Sequence, residues 1–512
     1  MTEVEIYEGA KSTHVWLGDA HRDSDAAFDL LEAFCTIQKP RIYESLGRHR
    51  KHEHHEGLFR AWKGENDHSE GLLEAKSAWI FFQWTTDVST ELKEEHEIND
   101  TAIDQVLHWL ITEHSNPSQE AAYKGLLDLL ERPFWDRIWI VQEITVSRHI
   151  VLHAGPRSVG WYDMWLLITC GNLVYHLEQN HHWHTEYNSV QILPDRLYTL
   201  EKTRNRLRGV DPDPIKLREA MWFYFEYSAS DKRDKIYALL GLTYKDSLAY
   251  GIAIDYGRST TAVDVVVAAI EAIIRVDKEY AFDLVRSRDT RTLVPSWIPD
   301  FEDRLHYRTT LWRSSTAGGQ GIPSAKFSDR GRTMSIAGVK VTLLDHDLSE
   351  IHDVLGEVEE NSLPAWVELM IRHFSQRGLL TDQAIHGFLT VLLWGDFWRR
   401  PLAELLEEGN ENLVSALTDL ISTQYGQYNR LTRARFFISH EETMGLVPGN
   451  ARTGDLIFVP CAVEAPIVVR ETETQGRFTV VGECYVHGIM KGQLFDEDGK
   501  PKAHEITRID LV

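Results

Sequence analysis

The sequence predicts a mixed α and β protein: an α/β layer first, a mainly helical middle region, and a β-rich lobe at the C-terminal end. Three observations carry this. Between 119 and 155 a helical pattern runs into a short buried strand, the order of an α/β layer. From 161 to 227 apolar residues recur at helical spacing. From 430 onward short apolar runs are separated by Gly, Pro and Asn turns. The composition shifts place boundaries at 1–160, 161–330 and 331–512.

The elements follow in order. Thr13 to Leu17 reads as a short buried strand closed by Gly18-Asp19. Ser24 suits a helix cap, and Phe28, Leu31, Phe34 and Cys35 give 25–37 one apolar face. Residues 38–70 are rich in Arg, Lys, His and Glu and read as a charged surface insertion. Helices are expected over 72–84, 103–111 and 121–130. Pro133 suits the first turn of a further helix, read as continuous from Phe134 to Ile144, with a strand over 148–153 and a turn at Gly155-Pro156. Lys235 to Leu240 forms a short helix behind acidic residues that favour its dipole, and 259–274 another. Pro295 to Asp300 is a rigid extended turn, because each proline pushes its predecessor out of the α region. Residues 302–332 read as loop, 333–344 as strand and 364–424 as helix. The C-terminal strands are placed at 434–438, 455–460, 466–470 and 478–483.

Bulk properties narrow the function classes. A 512-residue chain exceeds the ~150-residue domain prior and allows more than one folding unit. Its hydrophobic share of 43% is enough for real cores, and 16 Trp point to large buried ones. A net charge of −24 argues against a nucleic-acid-binding surface. No run of ~18 apolar residues is present, so no membrane span is expected. The acidic start, Met-Thr-Glu-Val-Glu, is unlike a signal peptide. Four cysteines make no disulfide framework, so the expected setting is reducing, cytosolic or nuclear, with cytoplasmic preferred.

Few residues advertise chemistry. The His49, His52, His54, His55 and His181, His182, His184 bunches lack metal-ligand spacing, and no metal site is expected. Nucleotide-loop and hydrolase-elbow motifs are absent; Gly318, Gly319 and Gly321 read as a flexible turn. Cys461 and Cys484 read as small buried hydrophobes. Glu143 is the candidate catalytic residue. On a helix over 134–144, Trp135, Trp139 and Glu143 stand four apart and share one face. An acid ending such an aromatic row is partly desolvated and oriented, which suits work at a cleaving glycosidic bond. The plainer alternative is a helix-end acid paired with a nearby Arg such as Arg148.

The block Glu131-Arg-Pro-Phe-Trp-Asp-Arg-Ile-Trp-Ile-Val-Gln-Glu143, with Ile150-Val-Leu-His-Ala-Gly155, resembles the fungal heterokaryon-incompatibility (HET) domain family. Ile6-Tyr7 with Val15-Trp-Leu-Gly18, Asp234-Lys-Ile-Tyr-Ala-Leu-Leu-Gly-Leu242, Pro295-Ser-Trp-Ile-Pro-Asp300, Gly445-Leu-Val-Pro448 with Gly454-Asp455, and Val481-Gly-Glu-Cys-Tyr-Val-His-Gly488 agree in order. The resemblance implies nonself recognition and regulated cell death after hyphal fusion, with protein partners and a homotypic oligomer among them. HET domains are distantly similar to Toll/interleukin-receptor (TIR) domains, some of which cleave NAD. That likeness implies a parallel-sheet remnant, NAD as substrate with no required cofactor, Glu143 stabilising the oxocarbenium-like ribose, and Trp135 or Trp139 walling the pocket. The family's opening Tyr-x-x-Leu-Ser-Tyr-x-Trp-Gly segment is not found ahead of Thr13, which implies an N-terminally truncated form with impaired cleavage, or a gene model whose Met1 lies too late. The competing expectations are a non-catalytic interaction scaffold and an unrelated cytosolic glycosidic-bond hydrolase.

Overall fold

A computed structural model describes residues 3–21, 23–39, 117–168, 188–208, 215–224, 226–243, 247–282, 285, 294–299, 315–344, 378, 434–438, 443–502 and 504–512. The charged insertion beyond its first two residues, the expected helices at 72–84, 103–111 and 364–424, and both histidine bunches lie outside the described residues. The chain divides into two compact units, 1–247 and 248–512.

The first unit opens with α1 (Glu3–Gly9), β1 (Thr13–Trp16) and α2 (Ser24–Ala33), which continues as a wider π-type turn over Phe34–Gln38. Next come α3 (Pro117–Leu130), a 3₁₀ turn (Pro133–Asp136) and α4 (Ile140–Thr145), then β2 (Ile150–Ala154) and β3 (Arg157–Gly160). Helix α5 covers 161–168, and α6 (Asn188–Leu207), α7 (Leu217–Tyr224) and α8 (Asp234–Leu240) complete the unit. Strand β1 pairs parallel with β2 in the register Thr13 to Ile150 through Trp16 to His153, and β2 turns back antiparallel onto β3. Val15 and Leu152 are buried where the sheet meets the core. Helices α2 and α3 approach so closely that a Cβ on Gly125 would lie 1.9 Å from the Asp23 carbonyl oxygen. Glycine is therefore required there by space, although it weakens a helix interior.

The second unit holds α9 (Ala262–Ala272), started by a Thr261 and Asp264 capping box and continued as a π turn over Ile273–Asp277. Its strands are β4 (Ala325–Ser328), β5 (Thr333–Leu343), β6 (Ala434–Ile438), β7 (Met444–Pro448), β8 (Leu456–Pro460), β9 (Ile467–Glu471), β10 (Arg477–Glu483), β11 (Tyr485–Val486) and β12 (Thr507–Leu511). The order β5-β8-β9-β10-β12 returns to β5, so the β-rich lobe is a closed, barrel-like ring. Closure removes the edges that an open sheet of such apolar strands would expose. The long β5 makes this possible: its first half, Met334 to Gly338, pairs with β12, and its second half, Gly338 to Leu343, pairs with β8 through an irregularity between Lys340 and Thr342. Along these strands Ile336, Val339, Ile457, Val459 and Val468 are fully buried. Asp455 is buried too, and Arg470 binds it bidentately at 2.7 and 2.8 Å.

Three details differ from the sequence reading. Ser24 is the first residue of α2 and not its cap: Asp23 holds that place, and the Ser24 hydroxyl bonds the His21 backbone. The segment read as loop over 302–332 contains β4, whose four residues alternate too briefly to give a period-2 signal. The Gly318 to Gly321 segment is a packed turn: Gly318 donates to the Val463 carbonyl at 2.9 Å, and a Cβ there would meet the Pro460 carbonyl.

Candidate functional site

The row Trp135, Trp139, Glu143 does not form, because the segment is not one helix. Arg132 is extended ahead of Pro133, as the proline requires, and Pro133 opens only a 3₁₀ turn. Arg137 is extended again (ψ 132°) and bridges to Ser228, with Ile138 N–H on the Ser228 carbonyl at 2.8 Å. Helix α4 begins afresh at Ile140. The extended residue breaks the i, i+4 geometry between Trp135 and Trp139, while Trp139 and Glu143 remain within one helical turn.

Each of the three residues has a definite place. Trp135 is a core residue, 3% exposed, donating its indole N–H to the Leu129 carbonyl at 2.8 Å and leaning on Trp161 at 6.3 Å. Trp139 is half-buried, with its indole N–H on Asp234 Oδ2 at 3.1 Å. Glu143 is half-buried between buried Gln142 and Ile144, and its carbonyl accepts the Ser147 hydroxyl at 2.5 Å.

The segments singled out by sequence meet around this turn. Besides the Trp139–Asp234 bond, Gln142 Nε2 donates to the Ala238 carbonyl at 2.7 Å. Arg132 reaches the Leu17 carbonyl at 3.2 Å, and Gly155 N–H binds the Gly18 carbonyl at 2.9 Å. Thr13 and Ser147 share a hydroxyl contact at 2.6 Å. His14 and His153 stack beside the parallel strand pair, with nitrogens 2.8 Å apart.

Sequence reasoning missed the clamp beneath this site. Arg204, wholly buried on α6, donates to the carbonyls of Ile144 (2.5 Å), Ser147 and Arg148 (2.8 Å), and to Tyr162 Oη at 3.1 Å. Arg208 serves Ser147 and Tyr162 at 2.8 Å and Arg148 at 2.5 Å. Two guanidinium groups thus satisfy carbonyls at and just beyond the end of α4, the nearest on Ile144, the residue after Glu143, and their charge suits a helix C-terminus. Fully buried Glu201 accepts the Trp161 indole N–H at 2.6 Å and lies 3.9 Å from Arg204. Burial pushes its carboxyl up to about 7, with the Arg204 charge and the Trp161 bond opposing. A signal was present: Leu197, Leu200, Glu201 and Arg204 repeat at helical spacing, which places two charges on the buried face of α6.

Among the described residues no group of three His, Cys, Asp or Glu is arranged to hold a metal, and no helix is long and apolar enough to cross a membrane. Cys484 is buried, whereas Cys461, read as buried from sequence, is only half-buried; both are free thiols pushed up by burial, Cys484 well above the ordinary range, which makes them poor nucleophiles.

Residues 411–504 match the model of the Het-6 beta-barrel domain family, a span that contains β6 to β11. The chain is 20% identical to heterokaryon incompatibility protein 6, OR allele, of Neurospora crassa, over 96% of this chain and 78% of that protein. No solved structure matches. The family match takes in three strands of the ring, β8, β9 and β10, and the likeness to the Neurospora protein runs along nearly the whole of this chain.

Proposed function

We propose that this chain acts in fungal nonself recognition leading to regulated cell death, working in the cytoplasm through protein partners. Within that role, Glu143 is the working carboxylate of a TIR-like N-terminal unit that cleaves the nicotinamide–ribose bond of NAD. One observation carries the site assignment. Glu143 sits half-buried on a short helix beside a parallel strand pair, and the carbonyls ending that helix are gripped by Arg204 and Arg208. A partly desolvated acid on a fixed backbone can stabilise the oxocarbenium-like ribose as nicotinamide leaves. Water then adds to the ribose carbon, giving ADP-ribose and a released proton. Trp139, held by Asp234, is the aromatic wall nearest in the chain.

Incubation of the purified chain with NAD tests this through free nicotinamide. Glu143→Gln is expected to lower the rate by two or more orders of magnitude, on the scale of losing one electrostatic group, with the circular dichroism unchanged. No nicotinamide, or an equal rate from the variant, removes Glu143 from catalysis.

A non-catalytic scaffold is the second reading. It is favoured by the way Trp135, Trp139 and Gln142 are all used to join motif segments to the core. Cell death on expression in a fungal host that survives Glu143→Gln unchanged selects the scaffold.

A further inference from the structure

The second unit contains a cavity of about 630 Å³ between the end of α9 and strand β4. Nothing in the incompatibility role or in the NAD reading uses it. Its volume falls within the range of small-molecule sites. Its lining includes Glu271, Arg275 and Lys278 from the α9 end, Phe327 from β4, and Tyr250 and Gly251 from the facing segment.

The backbone that presents these groups is unusual. Helix α9 widens into a π turn over Ile273–Asp277, closed by the Lys278 N–H on the Ile273 carbonyl at 3.1 Å. Such turns are rare and concentrate at functional sites. The next residue, Lys278, adopts the left-handed conformation (φ 60°, ψ 40°) where glycine or asparagine is the usual stop. A lysine held there at a conformational cost points to a use for its side chain. Arg275 is fixed at the wall by a 2.5 Å bond to the Tyr250 carbonyl, and Tyr250 is anchored through its hydroxyl to buried Asp277 at 2.6 Å. Gly251 follows in a positive-φ conformation, and a Cβ there would come within 3.4 Å of Arg275. Phe327 is backed by Trp297, with ring centroids 5.7 Å apart, so it is a firm aromatic surface.

We propose that this cavity binds a phosphomonoester of mononucleotide size: the phosphate between Arg275 and Lys278, hydroxyl donors toward Glu271, and a planar ring on Phe327. Two cations on one wall match a phosphomonoester, which carries more charge than a single carboxylate. The lone acid in the same cavity accepts from neutral hydroxyl groups and would repel a second phosphate.

Calorimetric titration of the full chain with AMP, adenosine and inorganic phosphate tests the assignment. AMP is expected to saturate, with adenosine at least tenfold weaker and inorganic phosphate binding more weakly than AMP. Arg275→Gln is expected to weaken AMP at least tenfold. Lys278→Gly separates ligand recognition from folding: it should weaken AMP while raising the thermal midpoint of the free chain by about 2 °C, because glycine relieves the left-handed residue. No saturation by AMP up to roughly 5 mM, adenosine binding as well as AMP, or undiminished AMP binding by both variants overturns the proposal.

Discussion

Arg204→Met and Arg208→Met should differ sharply, although both remove one guanidinium from the same clamp. Arg208 donates to Ser147 O, Arg148 O and Tyr162 Oη, and Arg204 serves all three as well. Loss of Arg208 therefore leaves each of these acceptors one donor, and about 1 kcal/mol is expected, the net worth of a shared hydrogen bond. Loss of Arg204 leaves the Ile144 carbonyl without its guanidinium partner and takes from buried Glu201 the nearer of the two cations that act on it, leaving Arg208. An orphaned buried acceptor costs roughly 1–3 kcal/mol, and breaking a buried ion pair from one side roughly 3–5 kcal/mol. Glu201 already titrates near 7 and can take up a proton, so the lower end applies, and we expect about 3–4 kcal/mol in total. The double variant should cost more than the sum, because Ser147 and Arg148 then lose both donors. Hydrogen exchange of peptides covering 140–150, read against denaturant, reports local stability without assuming that two units unfold together. Equal costs for the two single variants, or additivity in the double, would refute the shared-acceptor reasoning.

Three other outcomes follow from the same structure. Glu201 has a folded pKa of about 7 against an ordinary 4.5, so the native state binds more protons between these values; its contribution is fully present below 4.5 and is lost as pH rises through 7. Local stability of the first unit should fall by about 3 kcal/mol across that window, and Glu201→Gln should flatten the slope in exchange measured at pH 5 and 8. Gly125→Ala should destabilise by roughly 2 kcal/mol despite a helix-propensity gain of about 1, since its Cβ would strike the Asp23 backbone; a stabilised variant in thermal melts would show that α2 and α3 can separate cheaply. Asp455→Asn should cost about 3 kcal/mol through loss of the bidentate Arg470 pair and weakening of the Arg452 N–H bond, read as faster exchange in β8 and β9; unchanged exchange would mean the barrel does not depend on this pair.

Local pattern determined much of the architecture. Short apolar runs between turn residues put strands at 434–438, 455–460, 466–470 and 478–483, within one residue of where they lie, because such runs are bounded locally by the Gly, Pro and Asn that end them. The strand read at 13–17 lies at 13–16, and the helix read at 235–240 lies at 234–240, each marked by its own apolar pattern and the glycine that closes it. The continuous helix over 134–144 was misread because its interruption is not local: Arg137 is extended in order to pair with Ser228, ninety-one positions further along the chain.

What only the tertiary structure decided is which chemistry-bearing residues meet. Trp135 looked like one end of an aromatic row and is a core residue, since its indole N–H finds the Leu129 carbonyl. Arg204 is buried on α6 beside Glu201, where the carbonyls ending α4 require donors that α6 supplies. Ring closure of the barrel depends on β12 finding β5 across the lobe. Periodicity records the face a residue turns to the core, whereas hydrogen-bond partners far apart in sequence are chosen only when the chain packs.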